Sequence, residues 1–278
     1  MDIIITETVI REFEKHLVED EKSPATREKY LRSVRDFFEF LSGKALTKEE
    51  VLKYKNKLIE DGYSDRSINA ALAGLNSLLD YLNVRDCRVK NMKIQKQVYL
   101  SEEKELTRAE YMKLLAAAEG NKKLHMIMET ICGTGIRVSE LKFFTTESVE
   151  SGEVHIRLKG KARVILISGK LRKKLLDYAK SEDINDGIIF RNTKGEAMDR
   201  SVIWSLMKGL CEAAGVASTK VFPHNLRKLF ARCFYKIEKD IAKLADILGH
   251  SSIDTTRIYI MTSGREHRRI INQLDLVV

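Results

Sequence analysis

A chain of 278 residues with 44% hydrophobic content is long enough for two ordinary domains, each with its own buried core, which excludes disordered and fibrous architectures. No apolar run approaches the roughly 18 residues needed to span a bilayer, and the acidic start MDIIITETVIREFEKH does not resemble a secretory signal, so a cytoplasmic protein without a membrane partner is expected. Against 40 Asp and Glu stand 49 Lys and Arg, a formal charge of +9 with a pI near 9.2, which points to an anionic partner, most commonly nucleic acid.

The first 82 residues read as four helices. Val9, Phe13 and Leu17 recur at helical spacing in the first. Ser23 and Pro24, an N-cap followed by proline at the first helical position, lead into a second stripe of Leu31, Val34, Phe38 and Leu41 that Gly43 ends. Thr47 with Glu50 spells a capping box for a third, and Ile68, Leu72, Leu75, Leu79 and Leu82 mark a tightly periodic fourth. Between Arg85 and Lys104 the apolar periodicity disappears and basic and polar residues dominate, as in an interdomain linker.

A second capping box, Thr107 with Glu110, opens a run of helices through about residue 146. From Glu153 the period changes to two. The segment EVHIRLKGKARVILI places Val154, Ile156 and Leu158 on one face and turns at Gly160, which predicts a β-hairpin with a basic tip. A helix near 169–182, a short strand at Ile188–Phe190 with a turn at Lys194–Gly195, and a helix opened by Asp199 follow, and the remainder reads as helical. Trp204 and Phe234 are expected in the core.

Lys and Arg exceed Asp and Glu by 18 to 17 in residues 1–100 and by 31 to 23 in the rest, so the basic surplus lies in the second part. Local clusters at Lys53, Lys55 and Lys57, and at Arg85, Arg88, Lys90, Lys93 and Lys96, fit either a solvated face or a DNA-backbone contact. Cys87, Cys132, Cys211 and Cys233 are scattered, with no His or Cys at metal-site spacing, so neither metal nor other cofactor is expected.

Three segments of the second part carry residues suited to chemistry. In GTGIRVSEL, residues 133–141, two glycines precede Arg137 at the start of a helical pattern; a dinucleotide fingerprint is set aside because the third glycine is missing and the segment follows a helix. FPHNLRKLF, residues 222–230, places His224 and Arg227 three apart on one helical face. In LADILGHSSIDTTRIYI, residues 244–260, Gly249 stops a helix, His250 follows and Tyr259 lies nine residues on. Taken singly, each has an ordinary structural explanation.

Taken together, the order of Arg137, a lysine on a hairpin, His224-x-x-Arg227, Gly249-His250 and Tyr259 resembles the tyrosine recombinase (phage integrase) family throughout residues 105–260. The resemblance implies a mainly α fold with a small β-hairpin. Residues 1–84 would form a helical core-binding domain, 85–104 a basic linker, and 105–278 a catalytic domain with a C-terminal helix. The layout is closest to short Xer-type recombinases, with no amino-terminal arm-binding domain expected.

The residue types suit the implied reaction. Displacing a DNA 5′ oxygen from phosphorus builds negative charge on the non-bridging oxygens, which the always-charged, bidentate guanidinium groups of Arg137 and Arg227 would stabilise, with His250 as a further donor. A tyrosine hydroxyl, with a pKa near 10, needs its proton removed as it attacks, and His224 is the expected base for the nucleophile Tyr259. Lys159 is expected to protonate the leaving oxygen. The hairpin LKGKAR is about one residue shorter than the family's usual pattern, however, which leaves Lys161 as the alternative.

The resemblance further implies double-stranded DNA with inverted half-sites as partner and a homo-tetramer on two duplexes, or pairing with a related recombinase. Helices 23–42 and 64–82 would read the groove. The tail after Tyr259, with Arg265, Arg268 and Arg269 followed by Ile270, Ile271, Leu274 and Val277, forms either a closing core helix or an element that docks on a neighbouring protomer. A type IB topoisomerase-like enzyme and a catalytically inactive DNA-binding regulator are the alternative readings.

Overall fold

The computed structural model describes residues 3–94, 102–158, 161–261 and 264–274. Its contacts divide the chain into two compact units that part between Lys96 and Gln97.

The first unit contains α1 (Glu7–Glu19), α2 (Pro24–Leu41), α3 (Lys48–Glu60) and α4 (Asp65–Tyr81). Their apolar stripes converge on a core that includes Phe13, Leu17, Val34, Phe37, Val51 and Leu72. Ser23 caps α2 with Pro24 at its first position, as its sequence dictates. The stop comes one residue before Gly43, at Ser42, whose φ of 47° is left-handed and whose hydroxyl donates back to the Glu39 carbonyl. The box at α3 is half made: Thr47 accepts from the Glu50 backbone at 3.2 Å, but the Glu50 carboxylate accepts from Lys53 Nζ at 2.9 Å. Helices α2 and α4 cross closely because Gly74 has no side chain; a Cβ there would lie 3.1 Å from the Tyr30 Cα.

Of the segment expected to link the two units, residues 85–94 lie against this bundle. Cys87 and Val89 are buried in its core. Asn69 mimics a backbone partner, donating to the Met92 carbonyl and accepting from the Met92 amide, and Lys55 Nζ donates to the Lys90 carbonyl at 2.7 Å. Two of the three clustered lysines are thus committed locally: Lys53 to Glu49 and Glu50, and Lys55 to the segment leaving α4.

The second unit opens with α5 (Arg108–Ala117), held by a complete box in which Glu110 Oε2 accepts from the Thr107 amide at 2.8 Å and Thr107 Oγ1 from the Glu110 amide at 3.1 Å. Then come α6 (Lys122–Thr134), a 3-10 turn at Val138–Phe143 and α7 (Thr146–Ser151). Strands β1 (Glu153–Leu158) and β2 (Lys161–Leu166) pair antiparallel, from Glu153 opposite Leu166 to Leu158 opposite Lys161. Val154, Ile156 and Ile165 face inward, as the period of two requires.

After α8 (Gly169–Ser181), the strand expected at Ile188–Phe190 is replaced by isolated bridges from Thr145 to Ile188 and from Arg191 to Ala197. The apolar run there is a packing signal: Ile189 and Phe190 are buried against Phe144 and Tyr178 rather than joined to a ladder. Helices α9 (Arg200–Gly209, capped by Asp199), α10 (Cys211–Ala214), α11 (Pro223–Ile237), α12 (Ile241–Leu248), α13 (Ile253–Ile260) and α14 (Gly264–Asn272) complete the unit. Trp204 is half exposed, not core; Lys208 Nζ lies 5.5 Å above its ring. Phe234 packs at the edge of a small cluster formed by Ala231, Leu244, Leu248 and Tyr259. Among the described residues no helix is long and apolar enough to cross a membrane.

Candidate active site

The site is assembled around a buried guanidinium. Pro223 fixes the first turn of α11, and the face that α11 presents to the core carries Asn225, Leu226 and Arg227. Arg227 is only 1% exposed. Such a group must find acceptors. Nη1 donates to the Gly135 carbonyl at 2.8 Å and Nη2 to the Leu248 carbonyl at 2.7 Å and to His250 Nε2 at 2.9 Å. Both carbonyls sit where a helix stops at a left-handed glycine, Gly135 after α6 (φ 68°) and Gly249 after α12 (φ 64°), which leaves acceptors at the helix end unpaired. A Cβ at Gly135 would stand 2.3 Å from the Phe230 ring, so no other residue fits there without a shift of that ring. Burial, followed by the nearby Arg137, brings the Arg227 guanidinium down to about 10, still charged at neutral pH.

Arg137 is held differently. It caps the 3-10 turn with Glu140, whose buried carboxylate accepts from the Arg137 amide at 2.7 Å and from Nη1 at 3.1 Å, while Nη2 donates to the Gly249 carbonyl at 3.3 Å. Arg163, from β2, donates to the same Glu140 at 2.5 Å and to the Ile247 carbonyl at 2.9 Å. Two guanidinium groups thus share one carboxylate, and that of Arg227 lies nearby without a carboxylate partner of its own. The excess of positive charge is the electrostatic requirement of an anion site.

His250 and His224 flank Tyr259. A guanidinium only donates, so the contact with Arg227 makes His250 Nε2 an acceptor and leaves its proton on Nδ1, where it donates to Thr256 Oγ1 at 2.8 Å. Tyr259 is 6% exposed; its hydroxyl lies 3.2 Å from His224 Nε2, and both imidazoles meet its ring edge-on, with centroids 5.3 and 5.1 Å away. Burial lowers the His224 imidazole, aided by Lys228 and Arg227, and burial followed by Arg227 and Arg137 lowers His250 to about 4. Both are neutral at pH 7, so His224 keeps a ring nitrogen with a lone pair, as a base for the tyrosine proton requires.

A cleft of about 1020 Å³ opens beside this cluster, with Arg137, Glu140, Arg163, Gly249 and His250 in its wall. Among the described residues no group of three or more His, Cys, Asp or Glu side chains could hold a metal ion.

The depressed histidine values give a pH prediction. An imidazole that is neutral in the fold but titrates near 6.5 when unfolded lets the unfolded chain bind more protons as pH falls, so its contribution to stability is complete above about 6.5 and is lost as pH falls through about 4. The melting temperature of the wild type is expected to drop across that window, and His250→Gln, which keeps an acceptor for Arg227, to drop less. Parallel curves for the two proteins would contradict the assignment of a neutral His250.

Residues 104–265 match the phage integrase family, and residues 10–86 match its N-terminal SAM-like domain. The tyrosine recombinase XerA of Pyrococcus horikoshii is 30% identical over 283 residues, covering 99% of this chain and 96% of that protein. The chain belongs to the phage integrase family of tyrosine recombinases. The fold agrees with that of lambda integrase: a dimer bound to a COC′ core site aligns with a TM-score of 0.76 at 21% identity, covering 95% of this chain and 97% of that one. A lambda integrase tetramer bound to a Holliday junction aligns at 0.75 and 21%, covering 93% and 77%.

In this tyrosine recombinase the structure gathers Arg137, His224, Arg227, His250 and Tyr259 from three separate segments into one site. Lys159 lies outside the described residues, and Lys161 opens β2 opposite Leu158. Reasoning from sequence missed Glu140, Arg163 and Thr256. Glu140 carried a signal, since it stands three residues after Arg137 in the spacing of a capping box. Arg163 carried one too, as a charged residue at an inward position of the hairpin's alternation. Thr256 had none, because only the fold brings it to His250.

Proposed function

We propose that this tyrosine recombinase is a site-specific strand transferase that cleaves and rejoins DNA through a covalent 3′-phosphotyrosyl intermediate. The observation that supports this best is the Tyr259 hydroxyl 3.2 Å from Nε2 of a neutral His224, beside His250 and the buried Arg227. As the Tyr259 oxygen bonds to phosphorus, its proton passes to His224 Nε2. The bond to the 5′ oxygen breaks, and that oxygen takes a proton from Lys159, with Lys161 the alternative. Arg137 and Arg227 stabilise the charge on the non-bridging oxygens. Attack by the 5′ hydroxyl of another strand reverses these steps, and the phosphotyrosyl bond conserves the energy of the broken linkage, so rejoining needs no nucleotide hydrolysis.

DNA fits the excess of positive charge. In this reading both units contact the duplex, with α2 and α4 at the groove, and phosphate contacts dominate a salt-dependent affinity while a few base contacts select the site. Two duplexes with inverted half-sites bring four protomers together, of this chain alone or with a related recombinase. The C-terminal helix supports assembly: Ile271 on α14 and Leu274 just beyond it are 51% and 56% exposed, apolar surface that a neighbouring protomer would cover. A cytoplasmic role in chromosome or plasmid dimer resolution, or in mobile-element integration and excision, fits this chemistry.

The test is incubation with a nicked suicide substrate bearing a site selected from random duplexes, then with two intact copies. A covalent adduct and strand exchange are expected. Relaxation without exchange would indicate a topoisomerase, and no adduct a regulator that only binds. For the general acid, a 5′-bridging phosphorothiolate, whose thiolate leaves without a proton, should restore cleavage to Lys159→Ala; restoration of Lys161→Ala instead would move the role to that residue.

A further inference from the structure

Arg163 has no part in the chemistry described so far, yet its side chain is more tightly held than that of Arg137. It lies opposite Ile156 on the hairpin, at a position where the inward pattern of β2 continues with Ile165 and Ile167. Turned inward, a guanidinium must be neutralised and fully bonded or its burial is costly. Arg163 meets that demand with groups from two other elements. Nη2 reaches the buried Glu140 at 2.5 Å and Nη1 the Ile247 carbonyl near the end of α12 at 2.9 Å.

A second, independent observation concerns Gly249. A Cβ at this residue would lie 2.7 Å from Arg163 Nη1 and 2.9 Å from its Cδ, so the arginine is packed flat against the turn that leads into His250. That same turn offers the Gly249 carbonyl to Arg137. Arg163 therefore touches the carboxylate that clamps Arg137, the end of the helix before His250, and the glycine between them. It does so from β2, the strand that begins at Lys161, two residues after Lys159 in the sequence.

We propose that Arg163 is a positioning residue that locks the base of the β-hairpin onto the Arg137–Glu140 clamp and the Gly249–His250 turn, so that the lysine at the hairpin tip is delivered in register with the phosphate-binding groups. The inference rests on the strand-transferase reading given above. Arginine is needed for it because two acceptors, one on the 3-10 turn and one on α12, must be held at once; a lysine ammonium at this position has one nitrogen and serves one of them well. The register of the strands is fixed by the same contact, since a slip of one residue would turn Arg163 to solvent.

The experiment compares wild type, Arg163→Ala and Arg163→Lys on two nicked suicide substrates, one with the ordinary 5′ oxygen and one with a 5′-bridging phosphorothiolate, after the melting temperature and site binding of each have been measured. Misplacing an acid by about 1 Å costs on the order of 100-fold. On the ordinary substrate Arg163→Ala is therefore expected to cleave about 100-fold more slowly and Arg163→Lys about 10-fold, with binding retained. On the phosphorothiolate, which needs no acid, most of that loss should disappear for both.

A loss of equal size on both substrates would overturn the proposal, placing Arg163 in support of the arginine clamp alone, and so would undiminished cleavage of the ordinary substrate. If Arg163→Ala melts below the assay temperature, Arg163→Lys decides between the same outcomes. Absence of an adduct from the wild type on either substrate would instead remove the strand-transferase reading itself.

Discussion

Tyr259→Phe is expected to bind the recombination site as the wild type does and to form no covalent complex with a nicked suicide substrate, a loss of at least about 10⁴-fold in cleavage. The substitution removes one oxygen and little else. The phenyl ring keeps its place in the cluster with Ala231, Leu244 and Leu248 and its edge contacts with the two imidazoles. The hydrogen bond to His224 is lost, which costs about 1 kcal/mol of stability. A melting temperature within a few degrees of the wild type, combined with a missing adduct on a denaturing gel, would separate loss of the nucleophile from loss of the fold. Normal adduct formation by this variant would refute the assignment of Tyr259.

Arg227→Lys should be the second most damaging change. Removing one preorganised donor to a developing oxyanion costs about 10²–10³-fold in rate, and the lysine cannot present two parallel donors to phosphate. This position also carries a structural load. The guanidinium joins the Gly135 carbonyl at the end of α6, the Leu248 carbonyl at the end of α12, and His250. An ammonium cannot reach all three, and each buried acceptor left without a partner costs about 1–3 kcal/mol. A fall in both melting temperature and cleavage rate is therefore expected, read by thermal denaturation and by single-turnover cleavage at saturating enzyme. Arg137→Lys provides the contrast, because the half-exposed Arg137 should lose rate with a smaller loss of stability. Equal melting temperatures for wild type and Arg227→Lys would refute the structural part of this argument.

Much of the helical architecture is local and could be read directly. Ser23–Pro24 starts α2, Thr107–Glu110 starts α5, Asp199 starts α9, and Gly249 ends α12, each through contacts within a few residues of chain. The hairpin follows from its period of two. Where local reasoning failed, two signals were confused. The apolar run at Ile188–Phe190 reads as a strand and is buried without a ladder, because burial and strand pairing favour the same residue types. Trp204 reads as core from its chemistry alone, yet stands half exposed beside Lys208. Glu50 completes the spelling of a capping box, but an adjacent lysine competes for its carboxylate.

The amino-acid sequence by itself determined which residue types were available for the chemistry, in the order Arg137, His224, Arg227, His250 and Tyr259, and the helices that carry most of them. Only the tertiary structure decided what state those residues take. Arg227 finds its acceptors 92 and 21 residues away, and Arg163 finds Glu140 and Ile247 at separations of 23 and 84. Hydrogen-bond partners at such distances are set by packing, not by neighbours in the chain. Packing in turn decides that both imidazoles are neutral, that His250 carries its proton on Nδ1, and that the hydroxyl of Tyr259 lies within hydrogen-bonding distance of His224 Nε2.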